Sequence, residues 1–169
     1  MKSKLFKLFK QSAQILLLVA VISIATDWLR RPTVPADAAA MAVPTSGGQT
    51  ATLAQISSKQ TAVLYFWGSW CGICKYTSPA VQRLHAEGTP VVGVALKSGS
   101  EAEVRAYMRR QGLDFALAND PQGDTAQQWG IKVTPTIVLV KNGRIVHSTT
   151  GIAGYLGLAA RIRLADRLG

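Results

Sequence analysis

Apolar residues fall along this chain in two patterns. Unbroken runs point to buried strands, and three- and four-residue spacings point to helices with one apolar face. Ala62–Trp67 is aromatic, aliphatic or β-branched throughout and reads as a buried strand, and residues 75–85 read as the helix that follows it. Val91–Leu96 is a second continuous apolar run and a second buried strand. Residues 100–111 have helical spacing at Val104, Tyr107 and Met108. Ser100 stands at the cap with Glu103 three residues on, and Gly112 ends the segment. A short strand at 115–118, a turn at 119–123 and a short helix at 124–129 come next. Residues 136–140 and 145–149 read as strands joined by Asn142-Gly143, the strongest short hairpin signal. Tyr155–Leu168 closes the chain as an amphipathic helix, with Leu156, Ala159, Ala160, Ile162 and Leu164 expected on its apolar side. Strands alternating with helices, then a hairpin and a helix, predict an α/β sandwich with a mixed sheet.

The first third is built differently. Residues 15–25 are apolar except for Ser23, and the flanks extend the stretch to 12–29. That is near the lower limit of roughly 17 residues for a membrane span. Lys2, Lys4, Lys7 and Lys10 precede it without an acid. By the positive-inside rule they stay in the cytoplasm and everything beyond the span lies outside, with Trp28 at the far interface and Arg30 and Arg31 snorkelling there. A cleaved signal peptide is the rival reading, with Ala36-Asp37-Ala38 or Ala38-Ala39-Ala40 as its site. Both lie far from the apolar core, so an uncleaved anchor is favoured. Residues 31–48 are mostly Pro, Ala, Thr, Ser and Gly, with Pro32, Pro35 and Pro44 discouraging helix, and read as a flexible tether without a core. The expected organisation is an anchor over 1–30, a linker over 31–48 and one domain over 49–169. The domain is exported to an oxidising space, placing the chain in the inner membrane as a single-pass protein with its catalytic part in the periplasm.

The net charge is +10. Beyond the lysines of the start, Arg105, Arg109 and Arg110 share one predicted helix, and Arg161, Arg163 and Arg167 another. Basic patches can mark nucleic-acid binding, but no nucleic-acid motif accompanies them and the expected compartment excludes it. Solvated faces near anionic lipid headgroups are the reading kept.

The chain has two cysteines, both in Trp70-Cys71-Gly72-Ile73-Cys74-Lys75, at the junction of the first strand and the first helix. A thiolate, not a thiol, attacks a disulfide. At a helix N-terminus the unpaired N–H groups and the dipole favour negative charge, which makes Cys71 the attacking residue. Cys74, one turn on, can reach back and resolve the mixed disulfide. A purely structural bridge would constrain only a short loop and stabilise little. Zinc requires four ligands, and His85 and His147 lack ligand spacing. Two-coordinate Cu(I) on the dithiol is chemically open. Disulfide exchange needs no cofactor.

At this point the chain resembles the thioredoxin-fold proteins over nearly all of 49–169. Phe66-Trp67-Gly68-Ser69-Trp70-Cys71-Gly72-Ile73-Cys74-Lys75 matches their active-site segment, Pro79 the proline that bends the active-site helix, and Val133-Thr134-Pro135-Thr136 the cis-proline loop. Gly143 and Gly151 match glycines around the last hairpin. The resemblance implies a three-layer α/β/α sandwich and a cis bond before Pro135. It also implies a Thr134 backbone that pairs with an extended substrate, and a Trp70 that shields the disulfide and contacts substrate. The extra strand and helix before the Thr134-Pro135 loop is similar to the membrane-tethered TlpA and ResA types and the cytochrome c maturation reductases. The copper-sensitivity suppressor protein D type is the nearest in its anchor, tether and length. Such relatives imply a reductase of protein disulfides, fed by a DsbD-like membrane electron donor. Thiol oxidation and a Cu(I)-binding module stay open as alternatives. A peroxidase is disfavoured, because the peroxiredoxin Pro-x-x-x-Thr-x-x-Cys pattern is missing before Cys71. Two positions depart from thioredoxin. Tyr65 stands where a buried acid assists the second cysteine, which leaves proton handling to water, Lys97 or another group. Gly72-Ile73 replaces Gly-Pro, which leaves the potential open.

Overall fold

In the computed structural model, residues 10–15, 17, 18, 21, 22, 25, 35–45 and 49–168 are described. The chain divides into two compact units, Met1–Arg31 and Pro32–Gly169. The described residues of the first unit are helical. Among the described residues no helix is long and apolar enough to cross a membrane. Half of the anchor expected over 12–29 lies outside the described residues.

The second unit begins inside the segment expected to be a tether. After a short 3-10 turn (Ala38–Ala40), β1 (Ala42–Pro44) pairs antiparallel with β2 (Thr50–Thr52). Thr52 caps α1 (Leu53–Ile56), its hydroxyl accepting from the Gln55 N–H while the Gln55 side chain accepts from the Thr52 N–H. Ala38 and Val43 are buried in one apolar cluster with Leu53, Leu64, Phe66, Val92 and Val94. The expectation that residues 31–48 contribute nothing to a core is therefore corrected for 38–43. Small and β-branched side chains between prolines make a short hairpin that covers the sheet.

The main sheet has five strands in the order β5-β4-β3-β6-β7: β3 (Ala62–Trp67), β4 (Val91–Leu96), β5 (Ala116–Asp120), β6 (Thr136–Lys141) and β7 (Arg144–Thr150). β3, β4 and β5 run parallel, while β6 and β7 are antiparallel to their neighbours, so the sheet is mixed as expected. Alternate residues of β3 face opposite layers. Val63, Tyr65 and Trp67 meet the inner sides of α2 (Cys74–Ala86), α3 (Glu101–Arg110) and α5 (Tyr155–Leu168). Leu64 and Phe66 meet α1, α4 (Asp124–Gln128) and the β1–β2 hairpin. The three layers are those the resemblance implied. Ser100 caps α3 with Glu103 returning to its N–H, as the spacing predicts.

The packed face of α5 differs from the expectation. Leu158, Ala159 and Ile162 are buried, whereas Leu156, Ala160 and Leu164 are exposed. Apolar residues occur all round this helix, and the angle at which it meets the sheet selects the face. Its far end is tied down by Asp166. One carboxylate oxygen accepts from the Thr61 N–H and the Thr61 hydroxyl, each at 2.7 Å, and from the Lys141 ammonium at 3.4 Å. Thr61 immediately precedes β3 and Lys141 ends β6, so this clamp joins the central strands to the C-terminal helix. At the neighbouring hairpin, Asn142 and Gly143 both have positive φ, as a two-residue turn of this kind requires. The buried Ser57 hydroxyl donates to the Leu53 carbonyl and accepts from the Gly143 N–H.

Candidate active site

β3 and β6 bring the site together at one end of the sheet. Phe66 pairs with Thr136, so the loop that follows Trp67 and the Thr134-Pro135 segment that precedes Thr136 leave the sheet side by side. The Thr134–Pro135 bond is cis. Pro135 is buried and Thr134 half-buried. The Pro135 carbonyl accepts from the Gly151 N–H at 2.8 Å, and the Thr136 hydroxyl donates to the Val133 carbonyl. Two residues past Gly151, the Ala153 N–H donates to the Thr77 hydroxyl on α2, so the 151–153 loop spans from the proline to the active-site helix.

The loop between β3 and α2 rests on the end of β4. The Ser69 N–H donates to the Ser98 hydroxyl at 2.9 Å, and that hydroxyl donates to the Leu96 carbonyl at 3.0 Å. The Trp70 indole N–H ends on the same carbonyl, at 2.9 Å. Gly68 permits this: a Cβ there would stand 2.7 Å from the Trp70 indole. Trp70 is 59% exposed, its ring lying along Gly68 with its polar edge tied to β4. Ser98 and the Leu96 carbonyl were not singled out from the sequence. A backbone carbonyl leaves no residue-type signal, and a serine in a loop is ordinary.

Cys71 and Cys74 form a disulfide, their Cα atoms 5.3 Å apart. Cys71 is 6% exposed and Cys74 1%. The expectation placed Cys71 at the helix N-terminus, but α2 begins at Cys74 and Cys71 precedes it by one turn. The physical relation survives the shift. The first N–H groups of a helix lack a partner within the helix, and here the Cys74 N–H is shared between the Cys71 carbonyl at 3.1 Å and the Cys71 sulfur at 3.2 Å. Gly72 and Ile73 between them are exposed, as are Lys75 and Tyr76. Pro79 lies inside α2.

Beneath the disulfide, Tyr65 is fully buried. Its hydroxyl lies 2.9 Å from the Ser78 hydroxyl and donates to the Cys74 carbonyl at 3.5 Å. Burial pushes the phenol well above its ordinary value of 10.0; the Ser78 hydrogen bond opposes this, and Tyr107 adds to it. Tyr65 is therefore neutral and is no base. Lys97 is exposed with its stem over Gly123, on the β5–α4 side. Ser78 was legible only in part: it stands four residues after Cys74, hence on the same helix face. Among the described residues, no group of three or more His, Cys, Asp or Glu is placed to hold a metal ion.

The chain is 42% identical over 166 residues to a thioredoxin-like protein of Haemophilus influenzae, covering 98% of this chain and 99% of that one. It is 39% identical over 88 residues to the thiol:disulfide interchange protein DsbE homolog of Paracoccus denitrificans; that match covers 51% of this chain and 48% of the relative, about half of each. The crystal structure of StoA from Bacillus subtilis covers 72% of this chain and 94% of its own, with a TM-score of 0.61 and 23% identity, which shows a shared fold. The AhpC/TSA family model spans residues 34–148, from just before the β1–β2 hairpin almost to the end of β7, and the chain belongs to that family.

Proposed function

We propose that this chain is a protein thiol–disulfide oxidoreductase of the DsbE and ResA type, held at the inner membrane by residues 1–30 with its domain in the periplasm. The observation that carries it is a Cys71–Cys74 disulfide in which Cys71, the less deeply buried member, receives the Cys74 N–H at the start of a helix on its sulfur. A hydrogen bond to the charged form favours that form, so Cys71 is the nucleophile once the pair is reduced. It attacks a protein disulfide and expels one substrate sulfur, forming a mixed disulfide. Cys74 then displaces the second sulfur and restores the Cys71–Cys74 bond. The pair leaves oxidised and the substrate reduced by two electrons. Trp70, Thr134 and Pro135 form the substrate-binding surface around this step. The direction is reductive, following the tethered thioredoxin-like groups, and a DsbD-like membrane donor returns the electrons.

The membrane placement rests on the four lysines followed by the apolar stretch. The test combines two variants and a potential. Cys71→Ala should abolish reduction of an insulin disulfide, and Cys74→Ala should accumulate mixed disulfides. A Cys71→Ala protein that still reduces insulin would refute the assignment. A potential near about −270 mV fits a reductase, and one near about −120 mV would turn the direction to oxidation.

A further inference from the structure

The exchange steps above leave one buried pair of hydroxyls unused. Tyr65 is locked in place by aromatic neighbours: its ring stacks on Trp67 with centroids 6.4 Å apart and meets the edge of Phe115 at 6.1 Å. The hydroxyl is thereby fixed at the inner side of α2, against Ser78 and the Cys74 carbonyl. Ser78 is itself buried and follows Cys74 by one turn. A polar pair this deep is costly unless each member satisfies the other. When Tyr65 donates to the Cys74 carbonyl, Ser78 can donate to Tyr65, and the chain of hydroxyls closes on the residue that carries the resolving sulfur.

We propose that Tyr65 and Ser78 form a positioning pair for Cys74, bracing the first turn of α2 from the sheet so that, once the disulfide is open, the Cys74 thiol stays aimed at the Cys71 sulfur. The inference rests on the assignment of Cys71 as nucleophile and Cys74 as resolver. In the resolving step the Cys74 sulfur bonds to the Cys71 sulfur, the bond from Cys71 to the substrate sulfur breaks, and the substrate sulfur departs with the electron pair. The proton of the Cys74 thiol leaves to that departing sulfur or to solvent. The hydroxyl pair is neutral and takes no proton. Its work is geometric, and it falls on the second step alone.

The two steps can be timed separately. The reduced full-length protein is mixed in a stopped-flow instrument with the chromogenic aryl disulfide dithiobis-nitrobenzoate. The first nitrothiobenzoate released reports attack by Cys71, and the second reports resolution by Cys74. Tyr65→Phe keeps the ring packing and removes the hydroxyl, and Ser78→Ala breaks the same link from the helix side. Each should leave the first release unchanged and slow the second about three- to ten-fold, the range for one lost hydrogen bond. A second release as fast as the parent's in both variants would overturn the proposal. So would an equal slowing of both releases, which marks a general scaffold. If the parent itself shows no first release, the exchange reading fails instead, and a normal first release with a normal second in the variants overturns the positioning role alone.

Discussion

Replacing Asp166 with alanine should destabilise the domain by about 2–3 kcal/mol and leave disulfide exchange untouched. The substitution leaves the buried Thr61 N–H without its 2.7 Å acceptor. An unsatisfied buried donor costs about 1–3 kcal/mol. The Thr61 hydroxyl also loses a 2.7 Å acceptor but can rotate, so its share is smaller. Lys141, 10% exposed in its side chain, loses its carboxylate but keeps the Lys59 carbonyl at 3.2 Å. Asp166 itself is a third exposed, so water offsets part of the loss. For a domain of this size the melting temperature should fall by about 8–12 °C. Circular dichroism melts of the oxidised protein at neutral pH measure it. The clamp sits at the opposite end of β3 from Cys71, so aryl-disulfide release kinetics should match the parent's. Acid adds a second signature. Burial pushes the Asp166 carboxyl up, but the Thr61 hydroxyl and N–H and the Lys141 ammonium together outweigh this and hold it below its ordinary 3.8. The folded carboxyl then protonates only after the unfolded one as pH falls, so its stabilisation is complete above 3.8 and disappears as pH drops through the lower folded value. The gap between parent and Asp166→Ala should be constant from neutral pH to about pH 5 and close in stronger acid. A melting shift under about 2 °C at neutral pH, or a gap unaltered by acid, would refute the clamp.

Two glycines give further tests. Gly68→Ala places a Cβ within 2.7 Å of the Trp70 indole and should push the ring off the Leu96 carbonyl, seen as a shifted, solvent-exchanging Trp70 indole N–H resonance; an unmoved resonance contradicts the packing. Gly143→Ala meets a positive φ together with Ala39 and Ala54 at 3.0 and 3.2 Å, and should lower the urea midpoint by the equivalent of about 1–2 kcal/mol or more.

Much of this fold could be read from residue order because local and tertiary demands agree there. Ala62–Trp67 and Val91–Leu96 are apolar on both faces because helices or the hairpin cover both sides of those strands. Ser100 and Glu103 form their reciprocal cap because the hydrogen bonds are local. The cysteine pair was legible from residue type and spacing, and the cis bond before Pro135 from the resemblance of Val133–Thr136 to the thioredoxin-fold loop. What escaped was decided by distant contacts. Val43 is one apolar residue among small ones, and only the sheet it covers makes it core. The α5 face depends on how the helix meets the sheet, since Leu156 and Leu158 are equally apolar in sequence. The Asp120 carboxylate, reading only as part of a turn, caps α4 by accepting from the Thr125 and Ala126 N–H groups. The support of Trp70 by the Leu96 carbonyl, and of Ser69 by the Ser98 hydroxyl, left no mark in the sequence that could be read alone.

The hydrogen bonds between Thr61 and Asp166 join residues 105 positions apart. During synthesis the amide just before the central strand must wait for 105 further residues to emerge before its acceptor exists. Contacts of such long sequence separation form late and slow folding. A nascent chain therefore presents the cysteine segment on a strand that is still unsealed, so disulfide chemistry at residues 71 and 74 can precede the final locking of the domain.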